Sequence, residues 1–466
     1  MRSFSFLLRK IVILAVFFLL YQLPGYTQDE LDRKIGQMVM VGFSQWTDAV
    51  DTLYHDIEHR NLGGVLYFAS NIQGPQQIAG LSAALQEHAG TPLLIATDQE
   101  GGYVARLDEN NGFARTPDAY RLGSVIDKED STRHYAAMMA DWLSQSGINT
   151  NFAPVVDVNV NPSSPAIGYL DRSFSAYPFK VFDHASWFVS GFKQRNIVTT
   201  LKHFPGHGSA VDDSHLGFTD ITGTWTEEEL IPYREFIDSG YGDMIMTGHL
   251  YNAQLDSVYP ASLSESTVTG LLRDSLGFEG VIVSDAMSMG AVTNNYGFEE
   301  AVVLAVNAGT DILLYPGNIH NGASLPAAVI GIIRKNVDNG TIPLERINRS
   351  YNRIMDLKTR IPVSLADTPA HFPVITDLQA SPNPFNISTR IRFRVKSHIR
   401  EKAEIRIYDA AGHFIQGLNA EIHGPGHYAI PWDALGSDGK ALSSGTYIYT
   451  VHAGRTVLSG KMSLVK

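Results

Sequence analysis

Short apolar, β-branched runs recur between Met38 and Pro316, at 38–43, 64–68, 93–97, 150–156, 198–203, 244–247, 281–284 and 311–315. Each run is nearly continuous in hydrophobicity rather than alternating, as strands buried on both faces are. The intervals hold stretches with helical spacing of apolar positions, among them 76–87, 131–146, 227–239 and 299–308. Strands alternating with helices predict a parallel sheet, and eight such units close into an α/β fold, a (β/α)8 TIM-type barrel. An open doubly wound sheet is the alternative, but no glycine-rich phosphate loop follows any strand.

The pattern changes on either side of this region. Residues 361–374 carry Pro362, Pro369 and Pro373 with little periodicity, which predicts a linker. Beyond it, 390–395, 403–408, 427–431 and 446–452 alternate polar with apolar residues. Turn sequences such as Ser437-Asp438-Gly439 and Ser443-Ser444-Gly445 separate them, predicting a small β-sandwich over 375–466. At the other end, Arg2, Arg9 and Lys10 precede an apolar run at 11–20 that Pro24-Gly25 breaks. This is the layout of a secretory signal over 1–27, with the barrel running from 28 to 360. The apolar run is short for a bilayer span, so the expectation is an exported protein, at the cell surface or outside the cell of a bacterium with an outer membrane, with the periplasm as the alternative.

Composition narrows the function classes. A net charge of −12 with no basic stripe excludes a nucleic-acid partner. The chain has no cysteine, which removes disulfides, thiolate metal sites and a lipid-anchored cysteine.

The candidate chemistry sits just after the strands, where a barrel of this type keeps its active site. Asp98, Glu100, Gly101, Gly102 and Arg106 follow the third run, and Asp157 and Asp171-Arg172 follow the fourth. The fifth run leads into Lys202-His203-Phe204-Pro205-Gly206-His207-Gly208 and then Asp213-Ser214-His215; His249 follows the sixth and Asp285 the seventh. A metal site could draw on His203, His207, Asp212, Asp213 and His215, but Pro205-Gly206 denies the histidines a common helical face. A serine nucleophile, Ser214 or Ser284, would lack any elbow pattern. Glycosidic cleavage fits best: Asp285 is placed to be the nucleophile, and His215, oriented by Asp213, can carry the proton. That chemistry needs no cofactor and no metal.

Six ordered motifs carry a family resemblance: Asp98-x-Glu100-Gly101-Gly102, Phe152-Ala153-Pro154-Val155-x-Asp157, Asp171-Arg172-Ser173-Phe174, Lys202 through Gly208, Asp213-Ser214-His215 and Ser284-Asp285-x-Met287. Over roughly 30–360 the chain resembles glycoside hydrolase family 3, in its bacterial β-N-acetylhexosaminidase branch. The resemblance implies retaining hydrolysis of terminal β-linked N-acetylglucosamine through a covalent intermediate. Asp285 would be the nucleophile, with His215 and Asp213 as the acid/base dyad. Asp98, Arg106, Arg172, Lys202 and His203 would hold the sugar hydroxyls, and His249 would be a further rim residue. The expected partner is an N-acetylglucosamine-containing oligosaccharide or cell-wall fragment. The stretch between Pro162 and Asp171 departs from the family pattern and would reshape the rim.

Ser381-Pro382-Asn383-Pro384-Phe385, Trp432-Asp433 and Leu442-x-x-Gly445-Thr446-Tyr447 make the C-terminal module similar to the type A sorting domain of type IX secretion, an immunoglobulin-like sandwich. Its implied partner is secretion machinery. The competing reading is a carbohydrate-binding sandwich in which Trp432, Tyr447 and Tyr449 either line a sugar platform or fill the core. For the barrel, a β-glucosidase, a phosphorylase of the same family and a non-catalytic sugar-binding protein remain as alternatives. A histidine in place of a second anionic carboxylate would repel phosphate less.

Overall fold

The computed structural model describes residues 28–44, 49–213, 217–361, 375–395, 402–410, 413–424, 426–436, 439–453 and 456–466. The expected signal over 1–27, the linker from 362 onward, and Ser214 and His215 lie outside these residues. The chain divides into two units, Met1–Val363 and Ser364–Lys466.

The first unit is a closed barrel of eight parallel strands: β1 (Val39–Gly42), β2 (Gly64–Tyr67), β3 (Leu94–Thr97), β4 (Thr150–Asn151), β5 (Val198–Phe204), β6 (Met244–Thr247), β7 (Val281–Ala286) and β8 (Ile312–Tyr315). Neighbours in sequence are neighbours in space, and β1 pairs with β8 to close the ring. Every position of β1, β2, β3, β6 and β8 is buried, which is why these strands are continuous apolar runs. The fourth strand is shorter than its apolar run. Pro154 has no N–H to donate, and the chain instead follows β5 irregularly, with Val156 N donating to Lys202 O.

Helices return the chain between strands. Proline opens those at Pro75–Glu87 and Pro178–Lys193, where its fixed φ suits the first turn and the missing N–H costs nothing. The helix Leu325–Asp338 is capped by the Ser324 side chain, which accepts from Ala327 N.

Two irregularities bear on function. Leu201 pairs with Ile245 and Phe204 with Thr247, so three steps along β5 match two along β6. Likewise Val283 pairs with Ile312 and Ala286 with Leu314, giving β7 one extra residue against β8. The extra residues fall at Lys202–His203 and at Ser284–Asp285, where a bulge turns side chains away from the regular pleat.

The second unit is a two-sheet sandwich. One sheet holds β9 (Ile375–Ser381), β10 (Thr389–Val395) and β13 (Gly426–Trp432); the other holds β11 (Lys402–Asp409), β12 (Phe414–Glu421), β14 (Gly445–Ala453) and β15 (Thr456–Leu464). All pairings within the two sheets are antiparallel. Trp432, Tyr447 and Tyr449 are buried with Phe385, Ile405 and Met462 in its core. They fill the sandwich and do not form a surface platform for sugar.

Candidate active site

Because all eight strands run in one direction, their carboxyl ends share one rim, and the residues that follow them are brought together. At the ends of β3 and β5 and in the loop after β4 lies a buried network of opposite charges. Lys202 Nζ sits 2.9 Å from Asp98 Oδ1 and 2.7 Å from Glu100 Oε1. Arg172 meets Glu100 with a two-pronged bond, Nε to Oε2 at 2.9 Å and Nη2 to Oε1 at 2.8 Å, and its Nη1 donates to Ala166 O. Arg106 is a looser neighbour of Asp98 at 3.4 Å. Burial pushes the Glu100 carboxyl up, but Arg172 and Lys202 outweigh it and hold the group well below the usual carboxylate range. Asp98 is lowered for the same reasons, with Lys202 the main counterweight to burial. Asp98, Glu100, Arg172 and Lys202 therefore stay ionised at neutral pH. Such a network presents fixed donors and acceptors to a ligand rich in hydroxyls, with no cost of reorganisation when it binds.

Ala166 belongs to the stretch between Pro162 and Asp171 singled out in the sequence. Ala166 and Ile167 pack on Val155, and Arg172 N donates to Ile167 O. This stretch thus buttresses Arg172 from behind. Gln99 does the same for Arg106: its Nε2 donates to Leu107 O while its Oε1 accepts from Arg106 N and Leu107 N.

The loop after β5 is gripped by two buried carboxyls. Asp157 accepts from His203 N at 3.0 Å, from His207 N at 2.9 Å, and faces His203 Nδ1 at 2.8 Å. Burial raises Asp157, and His203 with these hydrogen bonds brings it net below its ordinary value. On the next residue, Gly208 N donates to Glu229 Oε2 at 3.1 Å. Burial pushes the Glu229 carboxyl up to about 8, aided by the nearby charge of Asp157. His207 is pushed down to about 4 by burial and by His203, so it is neutral at pH 7. Two glycines make the turn possible. Gly206 has φ +126°, and a Cβ on Gly208 would lie 1.7 Å from Val158 O.

Asp285 ends β7 at its bulge, partly exposed beside the fully buried Ser284. Its Oδ1 accepts from Ala286 N at 2.7 Å. His249 is buried beside it, with Nδ1 2.6 Å from Ser262 Oγ and Nε2 3.0 Å from Ala286 O. Nε2 donates to that carbonyl, so the ring secures the backbone next to Asp285. Asp213, half-buried, ends the described part of the histidine loop, and His215 is outside the described residues.

Glu100 and Asp157 stood among the strand-end candidates in the sequence but received no role there, whereas Gln99 and Glu229 were not selected at all. Glu229 lies in Glu227-Glu228-Glu229, where only its spacing to the buried Tyr233 and Phe236, four and seven residues on, distinguishes it from its neighbours. Gln99 offers no such signal.

A closed parallel barrel with a strand-end aspartate and an ionised, hydroxyl-matching network on the same rim is an arrangement that glycosidic cleavage can use. The profile of the glycosyl hydrolase family 3 N-terminal domain matches residues 30–357, and the chain belongs to that family. It is similar to Beta-hexosaminidase A of Pseudoalteromonas piscicida, with 34% identity over 333 residues, 66% of this chain and 55% of that protein. Beta-hexosaminidase of Tolumonas auensis is 38% identical over 266 residues, 56% of this chain and 78% of that protein. Among solved structures, a glycoside hydrolase family 3 beta-N-acetylglucosaminidase from Paenibacillus sp. str. FPU-7 superposes with a TM-score of 0.66 at 36% identity, covering 72% of this chain and 65% of that one. The chain thus spans little more than half of the Pseudoalteromonas protein. Residues 386–456 match the FlgD Ig-like domain.

Proposed function

We propose that the barrel is a retaining exo-β-N-acetylhexosaminidase acting on terminal β-linked N-acetylglucosamine. The observation that carries this reading is the single rim on which bulged Asp285 stands with the Asp98–Lys202–Glu100–Arg172 network. The hexosaminidase names of its relatives support the choice of sugar. In the proposed reaction, an Asp285 oxygen attacks C1 while the C1–O bond to the aglycone breaks. The leaving oxygen takes a proton from His215, assigned from sequence with Asp213 as its orienting partner. Water then attacks C1, His215 takes its proton, and the ester to Asp285 opens with the anomeric configuration restored. Asp98, Arg172 and Lys202 hold the sugar hydroxyls, and His203, held by Asp157, completes that wall.

The test is release of a chromogenic aglycone from paired β-N-acetylglucosaminide and β-glucoside. Turnover of the N-acetyl sugar alone is expected; preference for the glucoside would overturn the sugar assignment. The C-terminal sandwich is proposed to be a sorting domain that carries the protein to the cell surface or beyond. Ending the chain after Pro373 should abolish export and spare hydrolysis, and unchanged export would refute that role.

A further inference from the structure

Consecutive amides of the histidine loop donate to different buried carboxyls, His207 N to Asp157 and Gly208 N to Glu229. Glu229 is fully buried, and besides Gly208 N the amide and hydroxyl of Ser209 face its carboxyl. It lies directly under the turn: a Cβ on Gly206 would come within 2.6 Å of Glu229 Cβ and 2.8 Å of its Oε2. Trp225, on the same approach to the helix Ile231–Asp238, donates Nε1 to Pro205 O at 3.1 Å. Thus the short segment from Trp225 to Glu229 grips the turn at Pro205, Gly206 and Gly208, between Lys202–His203 on β5 and Asp213 further along the loop.

We propose that Glu229 is a positioning residue of the active site, clamping the 205–208 turn from beneath and so fixing where His203 and Asp213 stand. This rests on the hydrolytic reading above. The titratable groups facing Glu229 are Asp157, across the turn, and Tyr233, one helical turn along its own element, with His203 and His207 beyond Asp157. Two carboxyls on neighbouring amides do not both ionise cheaply in a buried site. Asp157 has the histidine and takes the charge, whereas Glu229 serves as a neutral acid. Its ionisation sets a second negative charge beside Asp157, and repulsion between the two carboxylates displaces the turn that both hold.

The experiment follows kcat against pH for wild type, Glu229→Gln and Glu229→Ala in the full chain. A 2,4-dinitrophenyl β-N-acetylglucosaminide is the substrate, because that leaving group needs no proton and removes the alkaline limb of the acid catalyst. Wild-type kcat should fall about tenfold by pH 9 as a group ionising near 8 loses its proton. Glu229→Gln, which keeps the acceptor but cannot ionise, should hold one plateau. Glu229→Ala should be depressed about 10–100-fold at every pH by a displaced loop. In melting curves, Glu229→Gln should gain on wild type as pH rises from 5 to 8. Wild-type turnover with a Gln variant that keeps the alkaline fall, or an Ala variant with undiminished kcat, overturns this inference alone. Absence of any wild-type turnover overturns the hydrolytic reading instead.

Discussion

Replacing Glu100 by Gln is the most informative single change to the rim, because it removes one charge and almost no volume. Glu100 receives two bonds from Arg172 at 2.8 and 2.9 Å and lies 2.7 Å from Lys202 Nζ. The three side chains are all less than a tenth exposed, so solvent screening is weak. Breaking a buried ion pair from one side leaves uncompensated charge and costs about 3–5 kcal/mol. For a barrel of this size that corresponds to a fall in Tm of roughly 5 °C. The sign of the pH dependence is fixed. Glu100 titrates below its unfolded value, so its contribution is complete above the ordinary carboxylate range and is lost as pH falls through it. The Tm gap between wild type and variant should therefore be full at pH 7 and narrow from about pH 5 downward. Freed from Glu100, Arg172 and Lys202 lose their aim, and kcat/KM should drop about 10²-fold. Calorimetry at several pH values together with steady-state kinetics reads both effects. A variant with wild-type Tm at pH 7 and unaltered kcat/KM would refute the claim that Glu100 organises the two cations.

Two further outcomes follow from buried groups elsewhere. Lys358 is buried at the amino-terminal side of the strands, donating to Gln37 Oε1 at 2.5 Å and Gly63 O at 2.8 Å, and burial pushes it down to about 7. The unfolded chain holds the extra proton between about pH 7 and 10, so this group makes stability rise with pH across that window. Lys358→Met should remove that rise in urea midpoints measured at pH 7 and 10; equal slopes in both proteins would contradict it. In the sandwich, Trp432 packs on Phe385 and Tyr447 and donates Nε1 to Gln416 Oε1 at 2.9 Å. Trp432→Ala should cost the module about 3–5 kcal/mol in melting experiments while leaving sugar release by the barrel intact. A variant that melts like wild type would show that the ring is not a core residue.

The barrel was legible because a parallel strand buried on both faces must be an apolar run, and all eight runs became strands. Asp98, Arg172, Lys202, His203 and Asp285 were legible because they directly follow such runs or stand in motifs. What the sequence concealed is pairwise. Nothing local tells that Arg172 will reach Glu100 across 72 residues, or that Glu229 will find Gly208 rather than water. In the sandwich, β12 went unread because an edge strand with a single buried position has no clean alternation. β9 and β15 escaped for a related reason: polar and small residues interrupt their apolar positions.

The central claim is that Asp285 forms the bond to the sugar. Chemical rescue of Asp285→Ala by azide, with an activated aryl β-N-acetylglucosaminide, tests it most directly. The variant alone should be nearly inert; with azide, the aryl oxide should be released and the α-glycosyl azide should accumulate, because the anion now attacks C1 where the carboxylate stood. Retained activity in Asp285→Ala without azide would contradict the account.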